Sequence, residues 1–160
     1  MNIVHDSIVD GEGFRSVIFF AGCPHHCEGC HNPQSWNMDN GIDMTREQII
    51  TEVTNNELTN VTLSGGEPFL QSIEIAKLAK ALKKEGKNIW CYTGYLFEDL
   101  LAIPLHHELL SQIDVLVDGK FDLTKRDLSL FYKGSDNQRV IDVQKSLQTG
   151  MVVMKSIRNE

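Results

Sequence analysis

The sequence predicts an α/β protein built on parallel strands, and three observations predict it. Apolar runs of strand length occur at residues 15–21, 60–63, 88–92 and 114–117, with a further strand at 139–141; strands buried on both faces of a parallel sheet look like this. From Asn60 onward their starts recur at about 25 residues, the length of one βα unit. A polar or ligand-bearing group follows at once on four of the runs: the cysteine loop after Ala21, Ser64 to Glu67, Thr93-Gly94, and Asp118 to Lys120. Parallel strands end on a common edge, where α/β proteins bind ligands, so these groups are expected to meet. At 160 residues the chain suits one domain. It falls well short of the roughly 250 residues of a complete eight-unit barrel, so any barrel it forms is a trimmed one.

In chain order, Asp10-Gly11-Glu12-Gly13 reads as a turn before the first strand. Thr45 and Gln48 have the spacing of a capping box, which starts a helix of about ten residues. Ser72 is the expected cap of the next helix, whose Ile75, Leu78, Ala79 and Leu82 share one face and which Gly86 closes. A helical stretch near Phe97 to Ala102 is broken by Pro104, and the polar turn Gly134-Ser135-Asp136-Asn137 precedes the last strand. No repeat, low-complexity segment or linker interrupts this single unit over 1–160.

The net charge of -7, with no Lys/Arg cluster, weighs against a nucleic-acid partner. No apolar run is long enough to cross a bilayer, which excludes a membrane span. Met1 to Asp6 lacks the basic and apolar regions of a signal peptide, so a cytoplasmic, reducing compartment is expected.

The chemistry-bearing stretch is Cys23-Pro24-His25-His26-Cys27-Glu28-Gly29-Cys30-His31, which places three thiols in one short loop. Thiolates suit zinc or iron-sulfur clusters. A four-iron cubane is normally closed by four thiolates, so three would leave one iron open to a substrate or cofactor. A zinc knot completed by His25, His26 or His31 is the plain alternative, although zinc sites usually pair two ligand couples across a longer interval. A disulfide with a spare thiol would suit an exported chain. Cys91, inside an apolar run, reads as a core residue rather than a fourth ligand. His25 and His26 are expected to face water, and His106 and His107 to lie on a helix surface.

The spacing CxxxCxxC in a loop after a strand resembles the signature of radical S-adenosylmethionine (SAM) enzymes. The resemblance implies an incomplete (trimmed) parallel β/α barrel of the radical SAM type, with about five to six strands. It implies a 4Fe-4S cluster on Cys23, Cys27 and Cys30, and SAM chelated to the open iron. Ser64-Gly65-Gly66-Glu67 is similar to the family's GGE element, whose carbonyls face the SAM ammonium group. Thr93 at the next strand end is a further expected contact. Asp118 and Lys120 stand two apart, so on a strand they would share one side; Lys120 is expected to pair with the SAM carboxylate and Asp118 to hold its amino group or a cation. The family usually has an aromatic residue before the third cysteine, where this chain has Gly29. Adenine contacts then fall to the backbone of Gly29 and His31, or to another aromatic such as Tyr92.

Further segments resemble one branch of that family, the activating proteins of anaerobic (class III) ribonucleotide reductase. They are Asp-Gly-Glu-Gly at 10–13, Cys-His-Asn-Pro at 30–33 followed by Trp36, residues 90–95, Val-Asp-Gly-Lys-Phe at 117–121, and Gly-Ser-Asp-Asn-Gln-Arg at 134–139. The resemblance spans about residues 8–142. It implies reductive cleavage of SAM and removal of a hydrogen from a glycine Cα in a loop of the reductase large subunit, with a low-potential electron donor such as flavodoxin. Cys23, Cys27, Cys30 and Lys120 would carry the catalysis, and the turns at 10–13 and 134–139 are candidate rim contacts for the partner. Rival readings are another small radical SAM enzyme, such as a pyruvate formate-lyase type activase or a 7-carboxy-7-deazaguanine synthase, and a non-catalytic iron-sulfur or zinc module.

Overall fold

A computed structural model describes residues 2–157. Six strands form one sheet in chain order: β1 (Asn2–Ser7), β2 (Arg15–Phe20), β3 (Asn60–Gly65), β4 (Ile89–Tyr92), β5 (Val115–Asp118) and β6 (Arg139–Asp142). The four inner strands are parallel, whereas β1 and β6 run antiparallel to their neighbours at the two edges. Strand number is as expected, but the sheet is open and not wholly parallel. Loop length gives the reason. A parallel neighbour needs a crossover of a dozen or more residues, usually helical. Residues 8–14 are too few, and residues 119–138 contain only the 3-10 turn Leu123–Lys125.

The helices are α1 (Arg46–Thr54), α2 (Ser72–Lys84), α3 (Phe97–Leu101), α4 (His107–Gln112) and α5 (Val143–Thr149). The capping box at α1 forms as expected: Gln48 N–H donates to Thr45 Oγ1 at 3.2 Å and Thr45 N–H to Gln48 Oε1 at 2.8 Å. At α2 the cap position is Gln71, and Ser72 is already helical. Gly86, at φ +76°, takes the left-handed turn just beyond that helix. The helix expected at His106 and His107 is present, His106 ending a 3-10 turn and His107 opening α4, whereas α5 was not legible; it is capped by Asp142, which accepts from Lys145 N–H, and ended by Gly150 at φ +70°.

Side chains alternate across each strand, and the two faces differ. Ile18, Leu63, Ile89, Cys91, Leu116 and Ile141 enter one core with residues from all five helices, including Val53, Leu78, Leu100, Leu109 and Val143. The other face carries Trp90, Val115, Val117 and Val140, covered by Tyr92, Tyr132 and Ile157. All helices thus cover a single face. Right-handed crossovers that always advance in one direction along the sheet produce this arrangement, whereas a doubly wound sheet reverses midway. Among the described residues no helix is long and apolar enough to cross a membrane.

At the N-terminal edge of the inner strands the buried Arg15 ties the sheet together. Its guanidinium donates to Thr62 Oγ1 at 2.7 Å and to the carbonyls of Val61, Asn88 and Glu12, and it lies over the Trp90 ring. Burial lowers its pKa to about 10. The Asp10 to Gly13 turn is part of this knot: Thr62 Oγ1 donates to Asp10 O at 2.7 Å, and a Cβ on Gly11 would come within 2.8 Å of Trp90. That turn packs inward at the edge opposite the cysteine loop, which corrects its reading as a rim contact there.

Candidate functional site

The cysteine loop leaves β2 at the C-terminal edge of the parallel strands. Backbone bonds fix its root, with Gly22 N–H donating to Ser35 O at 2.7 Å and Cys23 N–H to Trp36 O at 3.1 Å. Further on, Cys30 N–H donates to Cys27 O at 3.1 Å and closes a turn whose third residue, Gly29, has φ +72°. That left-handed value explains the glycine, since an aromatic residue there would be strained. Leu123 fills the space instead: a Cβ on Gly29 would lie 2.9 Å from its Cδ1. The three loop thiols are half-buried and, like Cys91, free of disulfides. Burial raises the Cys23 thiol pKa, against which the N–H groups of His25 and His26 favour the thiolate. Cys91 lies in the helix-covered core, as expected.

The exit of β3 is organised by Glu67, whose carboxylate is fully buried. It accepts from Phe69 N–H at 3.1 Å, Thr93 Oγ1 at 2.9 Å and Gly94 N–H at 2.9 Å, and His25 Nε2 lies 2.8 Å away. Glycine is required just before it. A Cβ on Gly66 would stand 2.2 Å from Gly22 O, and one on Gly65, at φ +100°, 2.3 Å from Phe20 N. These glycines bring the β3 exit against the root of the cysteine loop, where Gly66 N–H donates to Phe20 O and Glu67 N–H to Gly22 O. Glu67 and Thr93 therefore spend their side chains on each other and on the loop. Ser64 is half-buried on the helix-free face.

Two histidine expectations are corrected. The His25 side chain is only 7% exposed and packs edge-on against Tyr95 at 4.6 Å. His106 is buried against Phe69, and burial lowers its pKa. His26 is exposed and stacks on Trp36, and His107 is exposed. His31 is exposed and packs against Phe121. Tyr92 lies on the helix-free face, with its hydroxyl donating to Tyr132 O.

Asp118 and Lys120 part company at the β5 exit. Gly119 has φ +95° and breaks the strand alternation, so Asp118 is fully buried and Lys120 exposed. Both Asp118 oxygens are engaged, by Arg139 Nε at 3.0 Å, by Arg139 Nη2, and by Phe97 N–H at 2.8 Å. Arg139 also forks onto the Glu98 carboxylate. Lys120 makes no ion pair among the described residues. Its backbone is held by the 134–139 segment: Asn137 Nδ2 donates to Lys120 O at 2.8 Å, Gln138 Nε2 to Gly119 O at 2.9 Å, and Asp122 N–H to Ser135 Oγ at 3.1 Å. The two late motifs of the sequence are therefore one structure. The second clamps the first from within, while its Asp136 and Asn137 stay exposed at the same strand edge.

All four strand exits meet. Glu67 joins those of β2, β3 and β4, Gly119 N–H donates to Tyr95 O at 3.0 Å, and Phe121 and Leu123 reach back to His31 and Gly29. A family model described as a 4Fe-4S single cluster domain matches residues 9–141. A Pasteurella multocida protein named anaerobic ribonucleoside-triphosphate reductase-activating protein is 39% identical over 141 residues, covering 82% of this chain and 89% of that protein. Proteins of the same name from Escherichia coli, 38% identical over 142 residues, and Haemophilus influenzae, 36% over 140, cover 83% and 82% of this chain and 91% and 89% of their own. The chain belongs to the anaerobic ribonucleoside-triphosphate reductase-activating protein family.

For a member of this activating-protein family, the donor set suits the 4Fe-4S cluster of the matching model. Three free thiols in one loop supply the ligand type that such clusters take. Among the described residues no three His, Cys, Asp or Glu groups are gathered around a single-ion position. Sequence reasoning missed the inward seat of His25 and its contact with Tyr95, and it read Asn137 and Gln138 only as part of a rim segment. A histidine between two cysteines reads as a ligand or a solvated group, and only the partner at Glu67, 42 residues on, shows otherwise.

Proposed function

We propose that the chain is a radical SAM activase: it holds a 4Fe-4S cluster on Cys23, Cys27 and Cys30, cleaves SAM, and generates a glycyl radical on the large subunit of the anaerobic ribonucleotide reductase. What carries the reading is the three-thiol loop at the shared edge of parallel strands, in a chain whose relatives bear the activating-protein name. The one-sided helix layer fits the trimmed barrel of that superfamily. When bound, the reduced cluster and SAM supply the one-electron cleavage and the hydrogen-abstracting 5′-deoxyadenosyl radical.

The chain's own residues bind, orient and exclude water. Gly29 keeps the Cys27–Cys30 turn tight, and Leu123 shields it. Lys120 is the cation for the SAM carboxylate. Asp118, with both oxygens engaged, positions Lys120 through Arg139 and the 134–139 clamp instead of touching SAM. The backbone of Ser64 to Gly66 borders the cluster loop, where its carbonyls serve the SAM ammonium group.

Replacing Lys120 by alanine removes a charge-assisted bond of about 1.5–3 kcal/mol, so the SAM concentration for half-maximal cleavage rises about 10–100-fold. Isothermal titration with SAM checks this, and unchanged affinity removes Lys120 from the site. The activity itself is tested by anaerobic cluster reconstitution and reduction by a low-potential donor such as flavodoxin. Electron paramagnetic resonance is then recorded with SAM and with the reductase large subunit. A SAM-dependent change in the cluster signal followed by a glycyl radical is expected. Turnover of SAM without that radical would favour another small radical SAM enzyme, and no turnover a non-catalytic module.

A further inference from the structure

We infer that His25 and Glu67 form a strap that seats the cysteine loop, making both positioning residues for the cluster; this rests on the cluster reading above and assigns its supporting shell. Along 23–27 exposure alternates, with Cys23, His25 and Cys27 turned inward and Pro24 and His26 toward water. His25 is thus the inward side chain between two thiols, two residues from each. Its ring is clasped by three groups: Glu67 Oε2 at 2.8 Å from Nε2, the Tyr95 ring at 4.6 Å, and Gly94, where a Cβ would come within 2.4 Å of Cδ2.

The anchor for that ring is unusually well fixed. A buried carboxylate is tolerated only when its acceptor sites are filled, and Glu67 receives donors from the turn after β3, from Thr93 and from Gly94 before His25 is counted. Its side chain is placed by donors from the β3 and β4 exits, and its N–H is bonded to the loop root at Gly22 O. The loop has backbone ties at Gly22, Cys23 and Cys30, but between Cys23 and Cys27 the ring of His25 is its tie to the strand ends. Groups that orient metal ligands in this way typically change metal affinity 10–100-fold when removed.

The test compares wild type with His25→Ala, His25→Gln and Gly94→Ala. Glutamine places an amide nitrogen near the position of Nε2, and alanine at 94 pushes on the ring while leaving the His25 and Glu67 side chains themselves unchanged. Hydrogen exchange is measured first on the metal-free chain. The amides of Cys23 and of residues 25–27 are expected to exchange faster in His25→Ala and Gly94→Ala, with His25→Gln close to wild type. After reconstitution, loss of iron to a chelator should be about 10–100-fold faster in the first two. Their reduced-cluster resonance should also broaden, and His25→Gln should restore it. Wild-type exchange and chelator resistance in both His25→Ala and Gly94→Ala overturn the strap. Should His25→Ala not fold, Gly94→Ala and His25→Gln decide on the same readouts. A wild-type chain that never takes up a cluster sinks the cluster reading, and the exchange comparison still judges the strap.

Discussion

Cys23→Ala, Cys27→Ala and Cys30→Ala each reduce iron incorporation and 5′-deoxyadenosine formation to background while leaving the fold intact. The thiols are half-buried in a loop whose root is fixed by backbone bonds, so their loss removes ligands without opening the core. The fourth cysteine cannot replace them. Cys91 lies in the helix-covered core with no exposure, and burial holds its thiol pKa well above the ordinary range, so it stays protonated. Cys91→Ala should therefore keep the cluster. Iron and sulfide analysis with circular dichroism separates the two classes, and full turnover by any loop variant would remove that cysteine from the ligand set.

Arg139→Ala is expected to destabilise the fold by about 3–5 kcal/mol, the usual cost of stranding one member of a buried ion pair. It leaves the fully buried Asp118 carboxylate with Phe97 N–H as its remaining donor, and it cuts the fork to Glu98. Against the 5–15 kcal/mol typical of natural proteins, this is a large fraction. Arg139→Lys should recover only part, because an ammonium cannot fork onto two carboxylates as a guanidinium does. Urea unfolding monitored through Trp90 measures the change. A loss below about 1 kcal/mol would show that Asp118 finds other donors.

Much of this was legible where a local rule has one outcome. The Thr45/Gln48 box starts α1, the 3.6-residue apolar face of α2 packs as read, and the strand runs fall where their apolar residues do. Direction was not legible, because nothing in the pattern of β6 says whether its chain arrives by a crossover or by a plain loop. The half-exposed β1 shows only a short alternation, too weak a pattern to mark a strand before the turn at 10–13. The pairing of Asp118 with Lys120 failed for a specific reason: the rule that residues two apart share a side holds only while the strand continues, and Gly119 ends it. His25 and Glu67 were each visible as residue types. Their contact depends on two strand exits being neighbours, which is a property of topology.

Each strand lies beside its chain neighbour from first to last, so the sheet can grow by accretion as the polypeptide emerges, one unit added to the previous one. The Glu67, Gly94 and Tyr95 contacts of the cysteine loop are in place by Tyr95, those of Phe121 and Leu123 follow, and the brace behind Lys120 needs residues up to Arg139. The three-thiol loop can thus be seated on its neighbouring strand ends during synthesis before the segment that braces Lys120 exists.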